Sequence, residues 1–248
     1  MHIMEDDAAK YIFGVPFALS IGPQNCGNQA LERYFRARAD IAFPKDVKET
    51  FYFDRHFQRG PEFYVSHFSP EPRHRIAMEL ASTIFDHPNA PERVYDLLGP
   101  QVKLFCPLRH PVSRSRAVYA EYMNYGITHG SLEQAAHETP QIIFASHYAM
   151  HLERWFEKFG AQNIKLVFAE DMERDPESFF KRLCGFLSIP YQAPPNPSFK
   201  DRLKGVFGKR KKEPVISRQD MKWLEDNLRP EIRKLEKLTG SPIPAWNN

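Results

Sequence analysis

The stretch Tyr11-Ile-Phe-Gly-Val-Pro-Phe-Ala-Leu-Ser-Ile21, followed by Gly22-Pro-Gln-Asn-Cys-Gly27 and then Asn28-Gln-Ala-Leu31, decides the fold. Tyr11 to Ile21 is an apolar run of the kind buried in a parallel sheet, and it reads as a strand. Gly22 to Gly27 puts two glycines around polar residues and reads as a loop. From Asn28 onward, Ala30, Leu31, Tyr34 and Phe35 fall on one helical face, with Asn28 as the expected N-cap. In a strand–loop–helix unit, backbone N–H groups and the helix N-terminus can converge on an anion. The glycine spacing fits a phosphate-binding loop and equally a plain tight turn. A P-loop would continue with Lys and then Ser or Thr, and here Asn28 and Gln29 follow.

Working outward, Val102 to Leu108 reads as a second buried strand and Ile164 to Phe168 as a third. Helices are expected over Pro111 to Tyr125, Tyr148 to Phe159, Pro176 to Leu187 (capped by Asp175) and Gln219 to Leu238. Strands alternating with helices predict a single α/β domain over residues 1–248, with a central parallel sheet flanked by helices. Pro190 to Pro197 is the best linker candidate, but too little chain follows it to form a second domain.

Composition closes off other classes. Of 248 residues, 42% are hydrophobic and 26% charged, which fits a globular protein with a core rather than a disordered or coiled-coil chain. No apolar run approaches the ~20 residues of a membrane span. The N-terminus has no signal-like apolar segment, so the cytoplasm is the expected location. Cys26, Cys106 and Cys184 lie far apart, which argues against a disulfide scaffold or a zinc site. His147 and His151 are four apart but lack further ligands, and no metal is expected. A net charge of +3 is too small to point to nucleic acid. The charge is uneven, however, with seven basic residues and one acid between Lys200 and Lys212, a segment expected to be a loop that meets an anion.

Further motifs run the length of the chain. They include Lys48-Glu49-Thr-Phe-Tyr-Phe-Asp54, Gly60-Pro-Glu-Phe63-Tyr64, Glu79, Pro91-Glu92-Arg93-Val94-Tyr95 and Leu108-Arg109-His110-Pro111-Val112-Ser113-Arg114. Tyr148, Leu152-Glu153-Arg154-Trp155, Glu170-Asp171, Leu228-Arg229-Pro230, Gly240 and Trp246 continue the series. With Gly22-Pro-Gln-Asn-Cys-Gly27 at its head, the string resembles the PAPS-dependent sulfotransferases, in the branch of the heparan sulfate enzymes and their bacterial relatives. The resemblance implies a P-loop-like α/β fold. It also implies PAPS as sulfuryl donor, PAP as product, no metal, and a small-molecule or glycan acceptor. It assigns the cofactor to Gly22, Gln24, Asn25, Cys26, Gly27, Asn28, Gln29, Arg109, Lys204 and Gly205. It makes Glu49 the general base and Lys48 a cation for the sulfuryl group. Glu79 would orient Lys48 or the acceptor, or pair structurally.

The departures from the family pattern are specific. The loop lysine is Asn25, and the two hydroxyl residues that hold the 5′-phosphate are Asn28 and Gln29. The serine expected eight residues after Arg109 is Ala117, and the lysine expected after Glu79 is Leu80. Cys26, before a helix N-terminus, sits where a thiol pKa can fall, although no partner histidine is evident. Two functional readings follow. One is sulfuryl transfer from PAPS to a hydroxyl or amine. The other is a sulfotransferase-fold protein that has lost PAPS chemistry, and that binds a partner or uses another ligand such as coenzyme A.

Overall fold

The computed structural model describes residues 12–194 and 214–246. Five strands form one sheet: β1 (Phe17–Ser20), β2 (Ile41–Ala42), β3 (Ile76–Leu80), β4 (Lys103–Leu108) and β5 (Ile164–Phe168). Their spatial order is β2-β3-β1-β4-β5, and every pairing is parallel. Parallel neighbours need crossover connections, and helices supply them. These are α1 (Asn28–Arg36) after β1, α2 (Pro61–Ser66) before β3 and α3 (Ala90–Leu98) before β4. Between β4 and β5 run α4 (Pro111–Asn124), α5 (Leu132–Glu138), α6 (Gln141–Phe144) and α7 (Tyr148–Phe159). After β5 come α8 (Ala169–Arg174), α9 (Pro176–Phe186) and α10 (Arg218–Thr239).

The strand period of two sorts the core into two faces. Phe17, Leu19 and Ile21 point to one side, where Val94, Leu98, Leu152, Trp155 and Leu235 from α3, α7 and α10 cover them. Ala18, Met78 and Phe105 point to the other, under Leu31, Phe35, Phe180 and Leu183 from α1 and α9. A third cluster joins α4, α5 and α10 through Val118, Leu132, Leu224 and Leu228. The result is a three-layer α/β/α domain.

Several expectations need correction. The first strand is shorter than the run from Tyr11 to Ile21. Ile12 and Phe13 are helical, and extended pairing starts only after Pro16, which has no N–H for a ladder. The cap of α1 is Gly27 rather than Asn28, which is the first helical residue. The strand β3 was not expected at all. The basic segment from Lys200 to Lys212 lies outside the described residues.

Candidate active site

In a parallel sheet all the strands end on one edge. The connection from β1 leads to β2 on one side, whereas that from β4 leads to β5 on the other. A crevice opens where such connections diverge, outside the C-terminal ends of the strands. Residues 22–27 leave β1 at that point, and Arg109 and His110 leave β4 beside them. Ser82 and Thr83 follow β3, the other neighbour of β1.

The loop is held from within. Gly22 sits against β4, where a Cβ would lie 2.3 Å from the Pro107 carbonyl oxygen, so this glycine serves strand packing. Asn25 and Gly27 both have left-handed backbone, at φ 68° and φ 90°. Two such positions around one residue curl successive N–H groups toward a common point. Among the described residues, no protein acceptor takes the N–H groups of residues 24–29, while Gly27 O accepts from Ala30 and Leu31. These donors at a helix N-terminus fit a phosphate group.

The loop side chains mostly turn elsewhere. Asn25 Nδ2 donates to Glu121 Oε2 on α4 at 2.9 Å. Asn28 Nδ2 donates back to Pro23 O at 3.0 Å, and its buried Oδ1 has no partner. The Cys26 thiol is buried 3.8 Å from the Tyr148 hydroxyl, and burial pushes its pKa up to about 11. The lowered pKa that the helix N-terminus suggested is overturned by desolvation, so Cys26 offers the site its N–H and not a nucleophile.

Beneath the loop lies Arg114 of α4. It is only 4% exposed, and its Nε donates to Gln24 O at 3.3 Å. Arg109 stands at the end of β4, and its backbone carbonyl accepts from the Tyr148 hydroxyl at 2.8 Å. Two acids lie near it. Burial pushes the Glu173 carboxyl up, and the Arg109 charge opposes that shift. Glu170 accepts from the His110 N–H at 2.8 Å and from Trp246 Nε1 at 3.1 Å. His110, whose pKa burial lowers, packs edge-on to Trp246. Ala117 is buried on the same helix as Arg114.

Glu49 is half-buried. Ser82 Oγ donates to its Oε2 at 3.0 Å, and Thr83 donates to Oε1 through Oγ1 at 2.9 Å and its N–H at 3.3 Å. Burial pushes its pKa above the ordinary carboxylate value, and these donors partly offset the shift. Glu49 lines an open cleft of about 430 Å³ with Lys48, Thr50, Phe51, His56, Arg59, Phe63 and His67. Lys48 is 71% exposed, and its Nζ pairs with Glu32 of α1 at 2.8 Å. The structure therefore separates the two neighbours, with Glu49 anchored behind β3 and Lys48 drawn toward α1.

Glu79 occupies β3 opposite Leu19 and is fully enclosed. Its Oε1 accepts from the Thr50 N–H at 2.6 Å, which ties the residue after Glu49 to the sheet. Its role is thus a backbone anchor beneath Thr50 in the cleft wall, and Lys48 pairs with Glu32 rather than with it. Oε2 and the Tyr64 hydroxyl are both buried without a partner at hydrogen-bond geometry, although Tyr64 is close enough to favour the carboxylate. Burial dominates and pushes the Glu79 carboxyl up to about 7.

Lys204 and Gly205 lie outside the described residues. The sequence reading gave no role to Arg114, Glu121, Ser82 or Thr83. Arg114 stood inside a quoted motif, but only the fold shows that it is buried under the loop. No group of three His, Cys, Asp or Glu residues placed to hold a metal occurs among the described residues. No helix among them is long and apolar enough to cross a membrane.

Comparisons with known proteins agree with this layout. Among solved structures, a sulfotransferase from Alicyclobacillus acidocaldarius superposes with a TM-score of 0.74 at 20% identity, covering 94% of this chain and 99% of that one. A mouse sulfotransferase solved with PAP gives a TM-score of 0.56 at 13% identity, covering 94% and 93%. Both share the fold. The Caenorhabditis elegans bifunctional heparan sulfate N-deacetylase/N-sulfotransferase 1 is 24% identical over 92% of this chain and 29% of its own length. The Mus musculus heparan sulfate glucosamine 3-O-sulfotransferase 3B1 is 25% identical over 94% of this chain and 65% of its own. The chain spans between 23% and 29% of the length of the first curated relatives it matches. A family model described as a sulfotransferase domain matches residues 18–234, and on that match the chain belongs to the sulfotransferase family.

Proposed function

We propose that this chain transfers a sulfuryl group from PAPS to a hydroxyl or amine of a glycan or small metabolite. The observation that carries the reading is Glu49. It is a half-buried carboxylate of raised pKa on the wall of a cleft, fixed by Ser82 and Thr83 just after β3, the neighbour of the strand that leads into the loop. The heparan sulfate relatives make glycans the first acceptors to test.

The sulfuryl group would come from PAPS, with its 5′-phosphate in the loop and PAP as the product. Unpaired N–H groups of residues 24–29 would hold that phosphate, and Arg109 the 3′-phosphate. Glu49 accepts the proton of the attacking hydroxyl or amine, and Ser82 and Thr83 hold its carboxylate in place. The cleft gives the acceptor a wall of Phe51 and Phe63 together with Arg59, His56 and His67.

Calorimetry with PAP, PAPS and coenzyme A tests the donor. Micromolar PAP binding supports the reading, whereas binding of none of the three removes its premise. Tight coenzyme A binding without PAPS turnover would move the chain to the other reading. Glu49→Gln should leave PAP affinity unchanged and lower kcat by ~10²–10⁴. Glu49 works as the carboxylate, so wild-type kcat/KM should rise as pH climbs through its pKa. The midpoint should lie above the ordinary 4.5. Unchanged turnover in Glu49→Gln, or an acid limb that survives there, would remove Glu49 as the base.

A further inference from the structure

We propose that Arg114 is a positioning residue that supplies, from beneath the loop, the positive charge that Asn25 does not supply at its rim. The inference rests on the reading that a phosphate group occupies the loop. Arg114 has left solvent, and its hydrogen bonds go only to neutral acceptors: Gln24 O at 3.3 Å, Ile142 O at 3.4 Å and Ser146 Oγ at 3.2 Å. Among the described residues it has no carboxylate partner. A buried cation without a counter-charge is costly to a fold and becomes favourable only when an anion comes close. The bond to Gln24 O puts the guanidinium directly behind the unpaired N–H groups that follow Gln24. Its charge is felt inside the loop, where it pulls the buried Cys26 thiol down against the effect of burial. The rim of the loop carries the opposite sign, because Asn25 is bonded to the Glu121 carboxylate. A hydrogen bond between Ser115 and Ser146, at 2.8 Å, fixes the Arg114 platform in turn.

The test is PAP binding to the full chain by calorimetry, with the melting temperature of each ligand-free variant measured alongside. Arg114→Gln keeps donors and loses the charge, whereas Arg114→Lys keeps the charge and loses the fork. Arg114→Gln should weaken PAP by about tenfold or more, the effect of one unit charge felt over a few ångströms in a partly dry site. Arg114→Lys should stay within about threefold of wild type. Ser146→Asp keeps the Arg114 side chain and puts a carboxylate against it, at the cost of the Ser115 bond. Ser146→Asn has nearly the same size without the charge, so Ser146→Asp should bind PAP about tenfold more weakly than Ser146→Asn, and equal affinity in this pair would count against the inference even if Arg114→Gln does not fold. Equal losses in Arg114→Gln and Arg114→Lys, or wild-type affinity in Ser146→Asp, would overturn the inference. If wild type itself binds no PAP, the reading of the donor fails, which is a separate result.

Discussion

Asn25 shows how one position can carry two separate penalties. Its backbone is left-handed, a conformation that asparagine tolerates better than longer side chains do, so a lysine there costs ~1 kcal/mol of strain. Its amide also meets Glu121 at 2.9 Å, and an ammonium group in that place would pair with the same carboxylate. Asn25→Lys alone should therefore raise kcat by less than about tenfold. Asn25→Lys with Glu121→Gln should approach the ~10²-fold effect of a well-placed charge donor. Steady-state turnover on one acceptor compares the two variants, and equal gains would show that Glu121 has no hold on the new charge.

Among the elements, the loop and the strands it joins are interlocked. Gly22 allows β1 and β4 to approach, and a methyl group there meets the Pro107 carbonyl at 2.3 Å and its ring at 2.4 Å. Gly22→Ala should lower stability by ~1–3 kcal/mol in a urea melt even without any ligand, the usual cost of overpacking. An unchanged midpoint would mean that the loop shifts freely. Much of this layer was legible in the sequence, because β4 is apolar after Lys103, β5 has one lysine among apolar residues, and α7 repeats its apolar residues at helical spacing. The strand β3 was not, because Glu79 interrupts Ile-Ala-Met-Glu-Leu and a buried acid looks like a surface residue. Gly22 and Gly27 were visible as a pair, but their separate reasons, close strand contact and a left-handed φ, appear only in three dimensions. Glu49 was reached by resemblance alone. The donors that fix it, Ser82 and Thr83, lie 33 and 34 residues away, just past a strand that the sequence did not announce.

Across the whole molecule, the buried Glu79 makes stability depend on pH. Its pKa is raised from 4.5 in the unfolded chain to about 7 in the folded one. The folded state therefore holds the extra proton. The contribution is fully present below about pH 4.5 and is lost as pH rises through about 7. By the linkage relation the total change is ~3 kcal/mol. Glu79→Gln keeps a carbonyl for the Thr50 N–H and removes the ionisation, so it should stabilise the protein at pH 8 and flatten the decline between pH 5 and 8. Unfolding midpoints at both pH values check this, and an identical decline in the variant would place the dependence elsewhere.

Glu170 has a consequence for the order in which the molecule is completed. Its two oxygens reach His110, 60 residues back, and Trp246, 76 residues ahead. During synthesis the first bond can close long before the second, which has to wait until residue 246 has cleared the ribosome. The turn carrying Arg109 therefore gains its last brace after every strand of the sheet has been made, so the scaffold is assembled before the binding edge is finished.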